Sequence, residues 1–174
     1  MGRHRARERG ETDRCAVKLV LGIDPGRKSG AALVAADGHT VVLKGLWQVR
    51  DSPDGRDAVV REALAFGTPA VYIEKFGAGI GAGGFFGART LAGIERNVGA
   101  WEDALIRAGL RVSGRVLPQS WRKAVLGTAG GGSVVLKRLA VDYVSVRFGM
   151  EQRKIDLTAD VAEAVCIALW GAGQ

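Results

Sequence analysis

The sequence predicts an α/β layer domain on a mixed sheet whose first three strands are antiparallel. Three observations carry that prediction. Two short apolar runs, Leu19-Val20-Leu21-Gly22-Ile23 and Ala70-Val71-Tyr72-Ile73, have the length of buried strands, and each ends on a carboxylate, Asp24 and Glu74. A tight turn through Pro25, Gly26 and Gly30 sends the first run back as a second apolar run, Ala31-Ala32-Leu33-Val34, the pattern of an antiparallel pair. Beyond residue 55, segments with apolar residues at helical spacing alternate with the remaining strands.

Taken in order, residues 17–24, 30–35 and 40–47 read as strands, the last two joined by the hairpin turn Ala36-Asp37-Gly38-His39. A helix is expected over 56–66, with Val59, Val60, Ala63 and Leu64 on one side and a stop at Gly67 and Pro69. Residues 70–74 form the fourth strand. A glycine-rich loop follows, carrying Phe76, Phe85 and Phe86; it lacks the lysine-serine ending of a nucleotide-binding loop and reads as a surface loop. The longest helix spans 88–109. Its seam of Leu91, Ile94, Val98, Trp101 and Leu105 suits either packing within the domain or contact with a second copy. Then come a strand over 111–117, a short helix opening at Pro118 and closing at Gly127, and a second glycine-rich loop over 127–132. A helix over 133–148 follows, with Leu136, Leu139, Tyr143 and Val146 inward and Gly149 as its stop. The last helix covers 158–170, capped by Asp156 or Thr158, with Asp160 and Glu163 three apart and so on one face.

The chain has 174 residues, the size of one domain, and its 47% hydrophobic content is that of a chain with a core. The expected organisation is a disordered basic tail over 1–16, rich in arginine but without the apolar stretch of a secretory signal, and a single domain over 17–171. No apolar run approaches the length of a membrane span, so no membrane partner is expected. A net charge of +7 favours an acidic partner, nucleic acid first. Cys15 and Cys166 make no disulfide framework, which fits a reducing cytoplasm. With only His4 and His39, histidine-based triads and zinc sites have almost no material, so any chemistry runs on carboxylates.

A helix crossing over after the third strand would bring the first and fourth strands side by side. Asp24 and Glu74 then converge at one end of the sheet, and the final helix can bring Asp160 and Glu163 to them. Clustered carboxylates repel and cannot all ionise unless a cation intervenes. Oxygen-only ligands suit magnesium, with manganese as its substitute, and two such ions can serve phosphodiester cleavage.

Gly22-Ile23-Asp24-Pro25-Gly26 with the following glycine, Tyr72-Ile73-Glu74 and Ala159-Asp160-Val161-Ala162-Glu163-Ala164 resemble, in order and spacing, the RuvC-type Holliday junction resolvases, which are ribonuclease H-like nucleases. The likeness runs from about Lys18 to Gly171. It implies a ribonuclease H-like fold, a five-stranded mixed sheet flanked by helices, and a crossover junction endodeoxyribonuclease. The family's four metal-holding acids carry over to Asp24, Glu74, Asp160 and Glu163; at the last the family more often has aspartate, so the carboxylate here has a longer reach. The family's basic helix start before a glycine-bearing loop is matched by Arg122, Lys123 and Gly127, and its following lysine by Lys137. Its aromatic residue beyond the second acid falls nearest Phe76, with Phe85 and Phe86 as alternatives. These six side chains are the implied DNA contacts, branched DNA the implied partner, and a homodimer built partly on the 88–109 helix the implied assembly. The implied location is the cytoplasm at the nucleoid, or wherever a virus or organelle recombines DNA. Competing readings are a relative that cuts RNA or RNA/DNA hybrids, a junction-binding protein without catalysis, and an actin-like ATPase fragment. The last needs two such domains in place of one.

Overall fold

The computed structural model describes residues 16–50, 52–75, 88–150 and 157–174, the side chains of 88–91 excepted. Five strands, β1 (Lys18–Asp24), β2 (Lys28–Ala36), β3 (Val41–Arg50), β4 (Ala70–Glu74) and β5 (Val112–Val116), form one sheet in the order β3-β2-β1-β4-β5. The β1–β2 and β2–β3 pairs are antiparallel, and β4 runs parallel to both β1 and β5. Five helices accompany them: α1 (Pro53–Leu64), α2 (Ala88–Arg107), α3 (Pro118–Leu126), α4 (Ser133–Phe148) and α5 (Ala159–Ala172). This is the expected mixed sheet with three leading antiparallel strands. Among the described residues, no helix is long and apolar enough to cross a membrane.

Strand periodicity gives the sheet two faces. Leu21, Ile23, Ala31, Leu33, Val71 and Ile73 point one way, into a core completed by Val59, Val60 and Ala63 of α1 and Trp101, Ala104 and Leu105 of α2. The α2 seam is therefore spent within the domain over its second half. Val20, Ala32, Val34 and Tyr72 face the other way, toward α5, with α3 and α4 behind it.

Two glycines decide how close α5 comes. A Cβ on Gly22 would collide with the backbone of Ala164 and Ala168, and one on Gly30 with the backbone of Asp160 and Val161. Small residues on both sides thus let the helix lie directly on β1 and β2. Thr158 starts it, its Oγ1 accepting from the Val161 N–H at 3.4 Å.

Strand β3 runs on to Arg50, three residues beyond its expected end, and two helices also differ from expectation. Helix α1 begins at Pro53, three residues earlier than its apolar spacing suggested, because Ser52 accepts from the Gly55 N–H at 3.3 Å and proline is preset for the first helical turn. In α4 the buried stripe is Leu136, Ala140 and Val144, while Val146 is 70% exposed. An every-fourth-residue row with alanine at its centre packs nearer to α5 than the wider expected stripe allows. The cap expected of Asp156 lies outside the described residues.

Candidate metal centre

Parallel pairing sets Ile23 level with Ile73, so the next residues, Asp24 and Glu74, end neighbouring strands side by side. Both lie on the α5 face, and each is only 5% exposed. The close approach of α5 at Gly30, which pairs with Asp24, delivers the helix's first turn to the same place. Carboxylate oxygens of Asp24, Asp160 and Glu163 consequently lie within 4.8 Å of one another. Glu74 stands beside this triad, its Oε1 accepting a hydrogen bond from Trp121 Nε1 at 2.7 Å. All four acids singled out by the sequence meet at one end of the sheet.

Two cationic side chains enter the cluster. Arg122 Nη2 donates to Glu163 Oε1 at 3.0 Å. Lys137 Nζ donates to Asp160 Oδ1 at 2.7 Å and lies 3.5 Å from Glu163 Oε2. Burial, reinforced by the charges of Glu74, Glu163 and Asp160, holds the Asp24 carboxyl well above its ordinary range. Burial likewise pushes Glu74 from 4.5 up to about 7, against the opposing pull of the Trp121 hydrogen bond. Lys137 is raised too: burial alone would lower it, but the hydrogen bond to Asp160 and the nearby charges of Glu163, Asp160 and Asp24 prevail. Cys166, one turn beyond Glu163, is pushed up to about 12 by burial and then by that glutamate, so it stays a neutral thiol.

Four carboxylates against two cationic side chains leave two negative charges uncompensated when all ionise. The donor set is all oxygen, largely buried and short of positive charge, which fits a hard divalent cation of the magnesium class.

The structure sorts the expected DNA-contact residues differently. Arg122 and Lys137 sit inside the acid cluster, whereas Lys123 is exposed. Phe76, Phe85 and Phe86 lie outside the described residues. Two neighbours of the site were not anticipated. One is Trp121, whose signal was available: a tryptophan directly before Arg122 on a short helix must find a partner for its N–H if buried. The other is Asn97 of α2, 7% exposed, whose Nδ2 donates to Gly26 O at 3.1 Å and so fixes the turn behind Asp24.

This strand order with acids at one sheet end is a ribonuclease H-like arrangement, and solved structures of that architecture superpose on it. Thermus thermophilus RuvC, solved with a Holliday junction substrate, matches at a TM-score of 0.62 with 23% identity, over 89% of this chain and 92% of that one. The Fowlpox virus resolvase, solved with Holliday junction DNA, matches at 0.56 with 15% identity, over 89% and 97% of the two chains. The yeast mitochondrial Holliday junction resolvase Ydc2 matches at 0.54 with 12% identity, over 89% and 78%. No protein-family model and no curated protein matches this sequence. At such identities the likeness establishes a shared fold.

Proposed function

We propose that this protein is a metal-dependent, structure-selective endonuclease that resolves four-way DNA junctions by paired phosphodiester hydrolysis. The observation that carries the reading is the convergence of Asp24, Asp160 and Glu163 within 4.8 Å, with Glu74 alongside, on a fold shared with three junction resolvases. Asp24, Glu74, Asp160 and Glu163 hold magnesium or manganese. Two such ions would supply Lewis-acid polarisation of the scissile phosphate and neutralise its charge.

The protein's own residues place the substrate around that centre. Arg122 has five N–H donors and Lys137 three, so each can hold its acid and still meet a backbone phosphate. Lys123, exposed on the same helix, adds a further phosphate contact. Such contacts give affinity and salt dependence with little sequence choice. Phe76, Phe85 or Phe86 supplies the apolar face against unstacked bases at the crossover. A homodimer matches two symmetric scissile strands with two sites. Since Val98, Trp101 and Leu105 of α2 are committed to the domain core, that dimer would use the helix's other faces, including exposed Ile106.

A gel assay tests the reading by offering a four-way junction, a linear duplex and an RNA/DNA hybrid, each with magnesium and with chelator. The junction alone should be cut, and only with magnesium. Asp24→Asn should bind the junction without metal yet leave it intact. Preferential cutting of the hybrid would move the protein to the RNA-processing class.

A further inference from the structure

Helix α3 contributes consecutive residues to two different acids: Trp121 reaches Glu74 on β4, and Arg122 reaches Glu163 on α5. We propose that Trp121 is a positioning residue for the metal-ligand set, its indole N–H fixing the Glu74 carboxylate so that one oxygen is tied and the other is left for a cation. The proposal rests on the metal-binding reading and adds to it a partner for Glu74 on a different element.

The indole is fully buried, and its Nε1 lies 2.7 Å from Glu74 Oε1, itself on a side chain 5% exposed. A glutamate has three rotatable bonds, and β4 ends at Glu74, so the strand alone does not settle where its carboxylate points. A directional N–H from a ring that cannot move does settle it. The ring is immobilised twice. It belongs to the buried cluster that also holds Val116, Ala140, Val144 and Ala162, and the Arg122 guanidinium lies 5.0 Å from its centroid. Arg122 orients Glu163 in the same manner, but its charge also acts on any bound cation. Trp121 is neutral, which makes it the cleaner probe. Outer-shell donors of this kind typically govern metal affinity by 10- to 100-fold.

The test uses the full chain without DNA. Manganese binding is followed by water-proton relaxation for the wild type and for Trp121→Phe, which keeps an aromatic ring and loses only the N–H and part of the volume. Positioning predicts at least about tenfold weaker manganese binding by a variant that still melts cooperatively. Binding at wild-type strength would overturn the proposal and leave the metal reading intact, because Trp121 would then be only a core filler. Failure of the wild type to bind manganese would instead overturn the metal reading itself. Should Trp121→Phe not fold, the wild-type indole ¹H–¹⁵N resonances decide, with Trp47→Phe and Trp170→Phe separating the half-buried rings from the fully buried pair, Trp101 and Trp121. A buried indole signal that shifts and saturates with added magnesium, and that Glu74→Gln renders unresponsive, supports the proposal; buried indole signals that never move overturn it.

Discussion

On one face of the sheet, Leu21, Ile23, Leu33 and Ile73 press against Trp101 and Leu105; on the other, Gly22, Gly30 and Ala32 let α5 settle onto the strands. The first face works by volume. Each large side chain removed from water there contributes about 1.5–3 kcal/mol, and none carries chemistry. The second face works by proximity. Its small residues bury less area per position, but they bring Asp160 beside Asp24, which no larger residue at Gly30 would permit. One side stabilises the sheet, and the other uses that stability to confine four acids that repel one another.

Breaking the voluminous face should cost the most stability and leave the site alone. Trp101→Ala is expected to lose about 3–5 kcal/mol in denaturant melts, while manganese affinity of the folded fraction stays at the wild-type value. A large affinity change would mean that the two faces are not independent.

The crowded acids should show themselves next, as a pH dependence. Glu74 is raised in the folded state from 4.5 to about 7, and Asp24 is raised as well. Between those pH values the folded chain holds more protons than the unfolded one, so stability falls as pH rises. The stabilisation is fully present below about pH 4.5 and is lost through about pH 7, amounting to up to about 3 kcal/mol for Glu74. Thermal melts with chelator should therefore show a midpoint declining across that window, and magnesium should flatten the decline by compensating the ionised carboxylates. A midpoint independent of pH would show that burial and the neighbouring carboxylates do not raise these two acids.

Smaller in stability but aimed at the site is Gly30→Ala. A methyl group there meets backbone, which cannot swing aside, so a loss of about 1–3 kcal/mol is expected together with weakened manganese binding, read by melts and relaxation titration. Gly26→Ala, in the turn of the same β1–β2 hairpin, is the control and should change stability by less than about 0.5 kcal/mol. The nearest atoms to a Cβ there, Lys28 O and Asp24 Oδ1, are at 3.5 and 3.8 Å, ordinary contact distances, and its φ is not positive. Equal damage from both substitutions would remove the close approach of α5 as the reason for the second glycine.

Much of this was legible in the chain. Strand β4 and helix α4 fall where their apolar runs and glycine stops put them, and the pairing of β1 with β4 follows from one crossover, whereas the place of β5 beside β4 rests on a second one that only the structure shows. The four acids were legible because each sits at a position the local pattern fixes: two at strand ends, two on one side of a helix's first turns. The early start of α1 was written in Ser52-Pro53 but hidden by the weaker apolar spacing of its first turn. Which side of α4 turns inward was not written locally, because Val146 is as apolar as Val144 and only the approach of α5 separates them.

By itself, then, the sequence determined the elements, their order and the identity of the acids, since these rest on periodicity and on residues that stop a strand or start a helix. Only the tertiary structure decided what the acids touch. That Trp121 donates to Glu74, that Arg122 and Lys137 turn into the cluster, and that Asn97 ties down the Gly26 turn all depend on contacts between elements far apart in the chain. Side-chain partnership of that kind is set by packing distances of a few ångström, on which sequence spacing is silent.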